Sequence, residues 1–186
     1  PQLKHSFLAN DPMYLMKNTS VSKILKDANL NDPMFVKHGG DDGYEKIYNI
    51  DYNGKNNVVK VRYSVATEAT RKGSNIGGRP HGKHAGRNIG VSVLRANREL
   101  YLDTSWTVGY ETRERWWGVE IEFPPSLDDV FGVTNNKQYA NNFRELGELD
   151  ITAMLNERGQ TIQEYKEELT LEGDPKLHLI EIAIDI

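Results

Sequence analysis

The segments Lys46 to Tyr52 and Val58 to Ala66 are rich in Val, Ile and Tyr and flank Asn53-Gly54. β-Branched and aromatic residues suit a pleated, half-buried surface, and Asn-Gly tolerates the positive φ angles of a tight turn, so a β-hairpin is predicted. A second pair of strands, Asn88 to Arg95 and Glu99 to Thr104, is expected to join at Ala96-Asn97-Arg98. Trp117, Val119, Ile121 and Phe123 then alternate with Gly118, Glu120 and Glu122. Period-2 alternation predicts a fifth strand with one buried face and with Glu120 and Glu122 on the solvated one. Pro124-Pro125 stops that strand, because proline cannot donate to a ladder, and Ser126 to Phe131 reads as a short capped turn of helix.

Elsewhere the period lengthens to that of a helix. Val21, Ile24, Leu25 and Ala28 fall on one face of a helix over Val21 to Leu30, with Ser20 placed to cap it. Gln138 to Gly147 presents Tyr139, Phe143 and Leu146 together; Thr152 to Arg158 and Thr161 to Leu171 add helix, the latter aligning Ile162, Tyr165 and Leu169. The C-terminus carries two conflicting signals. Asp174-Pro175 is a helix start, whereas Ile180, Ile182, Ile184 and Ile186 alternate like a strand; helix is the expectation. Strands first and helices later predict an α+β fold, a mostly antiparallel sheet with helices on one face and extra C-terminal helices. Residues 1–43 read as a lead-in segment, 44–147 as the main domain and 148–186 as a helical extension.

The 186 residues fit one domain of ordinary size. Twenty-three Lys and Arg stand against 27 Asp and Glu, a net charge of -4, so the whole chain has no general attraction for nucleic acid. There is no cysteine, which excludes disulfides, thiol catalysis and thiolate metal sites and suits a reducing, cytoplasmic setting. The most apolar stretch, Leu177 to Ile186, is short and interrupted by Glu181 and Asp185, so no membrane span is expected. A chain that begins at Pro1 is expected to be a piece of a longer protein.

Several motifs offer chemistry. Gly77-Gly78-Arg79-Pro80-His81-Gly82-Lys83-His84 has the glycine and lysine spacing of a phosphate-binding P-loop. His84 replaces the hydroxyl that would hold magnesium, and a strand rather than a helix is expected to follow, so the P-loop reading fails. From Ala69 to Arg98 the cations at 71, 72, 79, 83, 87, 95 and 98 meet no Asp or Glu, a local charge of +7. A mobile, solvated glycine-rich loop is the favoured reading; phosphate recognition through Arg79, Lys83 and Arg87 is the rival. His81 and His84 lack enough companion ligands for a metal. Trp106, Trp116 and Trp117 are expected in core and sheet-edge packing. Finally, a polar loop projects Lys137 ahead of a helix, where a flexible ammonium could reach an anion across a domain boundary.

Arg115 to Pro125, followed by Leu127 to Gln138 with its Asn136-Lys137-Gln138, resembles the transducer domain of the GHKL ATPases. That superfamily includes gyrase B, the large heat-shock chaperones, the mismatch-repair MutL proteins and microrchidia-like members. Gly86 to Leu100 is similar to that domain's central hairpin, and the resemblance covers about Gly86 to Phe143. It implies a ribosomal-protein-like split β-α-β fold. It implies that Lys137 matches the family lysine that enters the preceding ATPase domain and contacts the ATP γ-phosphate, with Asn136 and Gln138 shaping the loop. ATP and magnesium would be bound mainly by that preceding domain, whose Asp-x-Gly-x-Gly motif and glycine-rich lid are not found in this chain. The fragment alone is therefore not expected to hydrolyse ATP. The ATPase domain is the expected partner; a homodimer of the parent protein, and nucleic acid on the basic loop 71–98, are the others this reading admits.

Overall fold

In the computed structural model, which describes residues 8–109 and 111–186, Asn53 and Gly54 both take left-handed backbone angles, φ 51° and 70°. They turn strand β2 (Glu45–Tyr52) directly into β3 (Lys55–Ala66). Two successive positive φ angles match the twist of the flanking strands, which is why Asn-Gly fits here. β3 is the long organiser of the sheet. Along one edge it pairs antiparallel with β2 and, at its far end, with β1 (Phe35–Lys37); the short helix α2 (Gly40–Gly43) loops out between the two. Its other edge pairs antiparallel with β6 (Trp117–Phe123). β6 then runs parallel to β4 (Val91–Arg95), and β4 forms an antiparallel hairpin with the edge strand β5 (Arg98–Asp103).

The helical layer follows the last strand. Phe123 stacks on Phe131 with ring centroids 3.7 Å apart, so α5 (Asp128–Phe131) is folded straight back onto the sheet after the prolines. α6 (Asn141–Glu148), α7 (Ile151–Arg158), α8 (Ile162–Glu172) and α9 (Ile180–Asp185) continue this layer. They bury Phe143, Leu146, Ile151, Leu155, Leu169, Ile180 and Ile182 against Val59, Val61, Val91, Val93 and Ile121. Each such fully buried side chain contributes about 1.5–3 kcal/mol of hydrophobic stabilisation. The chain is thus α+β, mostly antiparallel, as its pattern predicts. The C-terminal ambiguity resolves as helix: Asp174 caps a 3-10 turn, Pro175–Leu179, that runs into α9, and Ile180 and Ile182 enter the core.

The opposite face of the sheet is covered at one end only. Residues 8–30, with α1 (Ser22–Asp27), lie across it and join α4 (Pro80–Ala85) in a second core of Tyr14, Val21, Leu25, Met34, Phe35, Ala66 and Ala85. Residues 1–7 of the expected lead-in lie outside the described residues. The rest of this face mixes the exposed apolar side chains Ile47 and Val58 with an ionic cluster. Arg62 donates to Glu45, Glu120 and Glu122 at 2.6, 2.5 and 2.7 Å, and these side chains retain only 16–24% of their exposure. Glu120 and Glu122, expected as a solvated face, are instead the arms of an ion cluster. Alternation reveals which side of a strand is polar, but not that an arginine on the neighbouring strand is in register to bind it. No described helix is long and apolar enough to cross a membrane.

Candidate functional site

Lys137 sits at the tip of a tight loop whose base is the bridge between Val133 and Ala140. Its own φ is 53°, and its N–H bonds to Thr134 O at 2.7 Å. Asn136 Oδ1 accepts from the Thr134 hydroxyl at 2.5 Å and from the Gln138 N–H at 3.3 Å, while Asn136 Nδ2 donates to Gln138 Oε1 at 3.0 Å. Asn136 and Gln138 therefore brace the turn and leave Lys137 exposed, with no ion-pair partner among the described residues. The expected helix from Gln138 begins only at Asn141, because residues 134–139 are spent on this turn.

The root of the loop is rigid. Val133 N–H bonds to Asp128 O, Asn141 N–H to Gly132 O, and Asn142 Nδ2 to the carbonyls of Asp129 and Val130. Gly132, at φ 69°, has no room for a side chain: a Cβ there would come within 2.6 Å of Asn142 N. Asp128 is held in turn by a two-pronged pair with Arg95, at 2.6 and 2.7 Å, that fastens α5 to the end of β4. The hydrogen bonds that Arg95 donates to Asp128 hold its pKa above the ordinary value. Arg95 is the residue that spacing did not reveal, since its partner lies 33 positions away.

The basic segment is not the mobile loop expected from its glycines. It forms α3 (Glu68–Arg71), a 3-10 turn (Ile76–Gly78) and α4, and Pro80 occupies the first turn of α4, where a missing N–H costs nothing. The glycines serve packing: a Cβ on Gly82 would lie 2.1 Å from Ile76 O. His81 and His84 are buried. His84 Nδ1 is 2.8 Å from the Tyr14 hydroxyl and its Nε2 3.2 Å from Ser20 Oγ; His81 Nε2 faces Thr70 O at 3.3 Å. Burial, aided by Arg79 and Arg87 respectively, lowers the pKa of His81 and His84 below its ordinary value. Burial raises that of Tyr14 despite a hydrogen bond from Asn88.

The seven cations divide accordingly. Arg95 and Arg98 go to the β4–β5 hairpin, whereas Arg79, Lys83 and Arg87 stand exposed at four-residue intervals along α4 and its exit. That spacing sets them on one stripe, about 6 Å per step. None of these three has an ion-pair partner among the described residues. The tryptophans do not gather into one surface: Trp106 stacks on Phe143 in the main core, Trp116 packs beside the second core and Trp117 meets His38 at the sheet edge.

The chain matches no protein-family model, no curated protein and no solved structure.

Proposed function

We propose that this chain is the transducer part of a larger GHKL-type ATPase, in which Lys137 reaches the γ-phosphate of ATP held by a preceding ATPase domain. The observation that carries this reading is the contrast between the loop's tip and its root. Lys137 is exposed and unneutralised, while both flanks of its loop are hydrogen-bonded into α5 and α6, whose Phe131 and Phe143 are fully buried. An ammonium on a rigid mount can bind charge across a domain boundary and pass the resulting pull into a packed layer. ATP and magnesium supply the reacting phosphate and lie mainly on the other domain. This chain contributes one positive charge, which ties the two domains together while the γ-phosphate is present and releases them once it has gone.

The test is ATP turnover and ATP-dependent domain closure in the longer parent. Lys137→Ala is expected to lower both, and Lys137→Arg to retain part of each because the charge survives on a differently shaped head. Unchanged turnover and unchanged closure in Lys137→Ala would end the proposal.

A further inference from the structure

Between the 3-10 turns Ile76–Gly78 and Glu114–Trp116 lies an open cleft of about 380 Å³, lined by Arg71, Asn75, Gly77, Gly78, Arg115 and Trp116 among others. The Arg115 guanidinium is set in place from behind. Its Nε donates to Thr112 O at 2.9 Å, and its Nη1 to Gly77 O and Gly82 O at 3.2 and 3.3 Å. No hydrogen bond engages its Nη2 among the described residues, so both protons on that nitrogen remain to be satisfied. Arg71, which also lines the cleft, is exposed and has no carboxylate partner among the described residues. Two guanidiniums without a counter-charge beside one cleft repel each other, a cost that an anion placed between them removes.

Gly77 is part of this arrangement. A Cβ there would lie 2.8 Å from Arg115 Nη1, so only glycine lets the guanidinium approach the backbone so closely. Immediately beyond Gly78 begins the stripe of Arg79, Lys83 and Arg87, one residue round α4 from the Gly82 face that Arg115 touches. The Arg79 guanidinium lies beside Gly73, with its Nη2 3.2 Å from the position a Cβ there would take. The cations therefore begin one residue beyond the lining residue Gly78. Trp116 adds an aromatic wall, a surface on which a base can stack.

We infer that this cleft binds one phosphate of a single-stranded nucleic acid, gripped by Arg71 and Arg115, and that the backbone continues along Arg79, Lys83 and Arg87. The acidic total of the chain does not oppose this, because screening confines a charge's influence to about 10 Å at ordinary ionic strength, and the stripe carries no acid of its own. The site is independent of Lys137, which lies on the loop between α5 and α6.

Fluorescence anisotropy of the full chain with a labelled single-stranded oligonucleotide of about 12 nucleotides, titrated from about 50 mM salt upwards, tests the inference. Saturable binding is expected that weakens with salt and is competed by inorganic phosphate. Replacing Arg79, Lys83 and Arg87 together by Gln should weaken it at least roughly tenfold and flatten the salt slope by about 2, the share of three single-strand phosphate contacts. Arg71→Gln should weaken it separately. Arg71 is the cleft variant of choice, because Arg115 also holds the turn together; unchanged melting temperatures establish that both variants remain folded. Absence of binding at low salt, or wild-type affinity in the triple variant, would overturn the inference. So would an oligonucleotide that binds no more tightly than a mononucleotide, since the cleft would then be a site for a small phosphate compound.

Discussion

Met13 crosses the sheet directly over Gly118, so closely that a Cβ at 118 would lie 3.1 Å from Met13 Cα and 2.4 Å from Ser64 Oγ. The Ser64 hydroxyl donates to Met13 O at 2.8 Å, which fixes the crossing point. Gly118→Ala must push the N-terminal segment off the strand or displace that hydroxyl. A loss of roughly 1–3 kcal/mol in denaturant unfolding is expected, the range for forced overpacking, together with faster proteolysis of residues 8–30. Wild-type stability in this variant would show that the segment is not seated as described.

Arg62 holds three carboxylates, so its removal and theirs should not add. Burial opposes its charge, but the hydrogen bonds it donates to Glu120, Glu45 and Glu122 outweigh burial and hold its pKa above the ordinary value. Arg62→Met strands three mutually repelling acids and is expected to cost about 1–3 kcal/mol. Adding Glu45→Gln, Glu120→Gln and Glu122→Gln should recover much of that loss, because no charge is then left unpaired. Equal stability of the single and quadruple variants in a thermal melt would refute the coupling.

Two buried imidazoles and one half-buried imidazole set an acid limit. His81, His84 and His178 all have folded-state pKa values below 6.5, chiefly through burial. The unfolded chain therefore takes up protons first on acidification. Their contribution to stability is complete above about pH 6.5 and is lost as pH falls towards the folded values. Melting temperature should decline as pH falls below about 6.5, and His81→Gln with His84→Gln should flatten that decline. An identical slope in the double variant would assign it elsewhere.

Lys137 alone cannot hold ATP. A lone exposed ion pair is worth about 0–1 kcal/mol, whereas millimolar affinity requires roughly 4 kcal/mol. Calorimetry of residues 1–186 with magnesium-ATP is expected to show no saturable heat at sub-millimolar nucleotide, and thermal unfolding should not shift. A micromolar site lost in Lys137→Ala would move nucleotide binding into this chain and displace the transducer reading, whereas one lost in Arg71→Gln would belong to the separate cleft. Lys137→Gly should leave the melting temperature unchanged or slightly higher, since φ 53° suits glycine.

Strands with a regular period were legible in the sequence. β6 has its predicted limits, and both hairpins form where turn chemistry placed them, although β3 begins three residues before the expected Val58 because the two-residue turn lets pairing start at Lys55. β1 escaped notice: three residues are too few to show a period, and pairing with β3 defines it. α4 escaped because Gly82, His81 and His84 are poor helix formers, and tertiary contacts to Ile76, Tyr14 and Arg115 override that weakness. Pro80, at the first helical position, was the signal that could have marked it. The exposure of Lys137 followed from its polar surroundings. The rigid root beneath it did not, because it depends on backbone bonds and on the distant pair Arg95–Asp128.

Because β3 serves one core along Val59 and Val61 and another at Ala66, its two ends answer to different parts of the molecule. The amide protons of β3 should accordingly fall into two exchange populations. Those near Ser64 to Ala66 would be released by partial openings in which residues 8–30 lift away, and those near Val59 to Val61 only when the whole chain unfolds. A lesion at Leu25 would then shorten the lifetime of the first population while leaving the second untouched, so that a single strand records two separate stabilities.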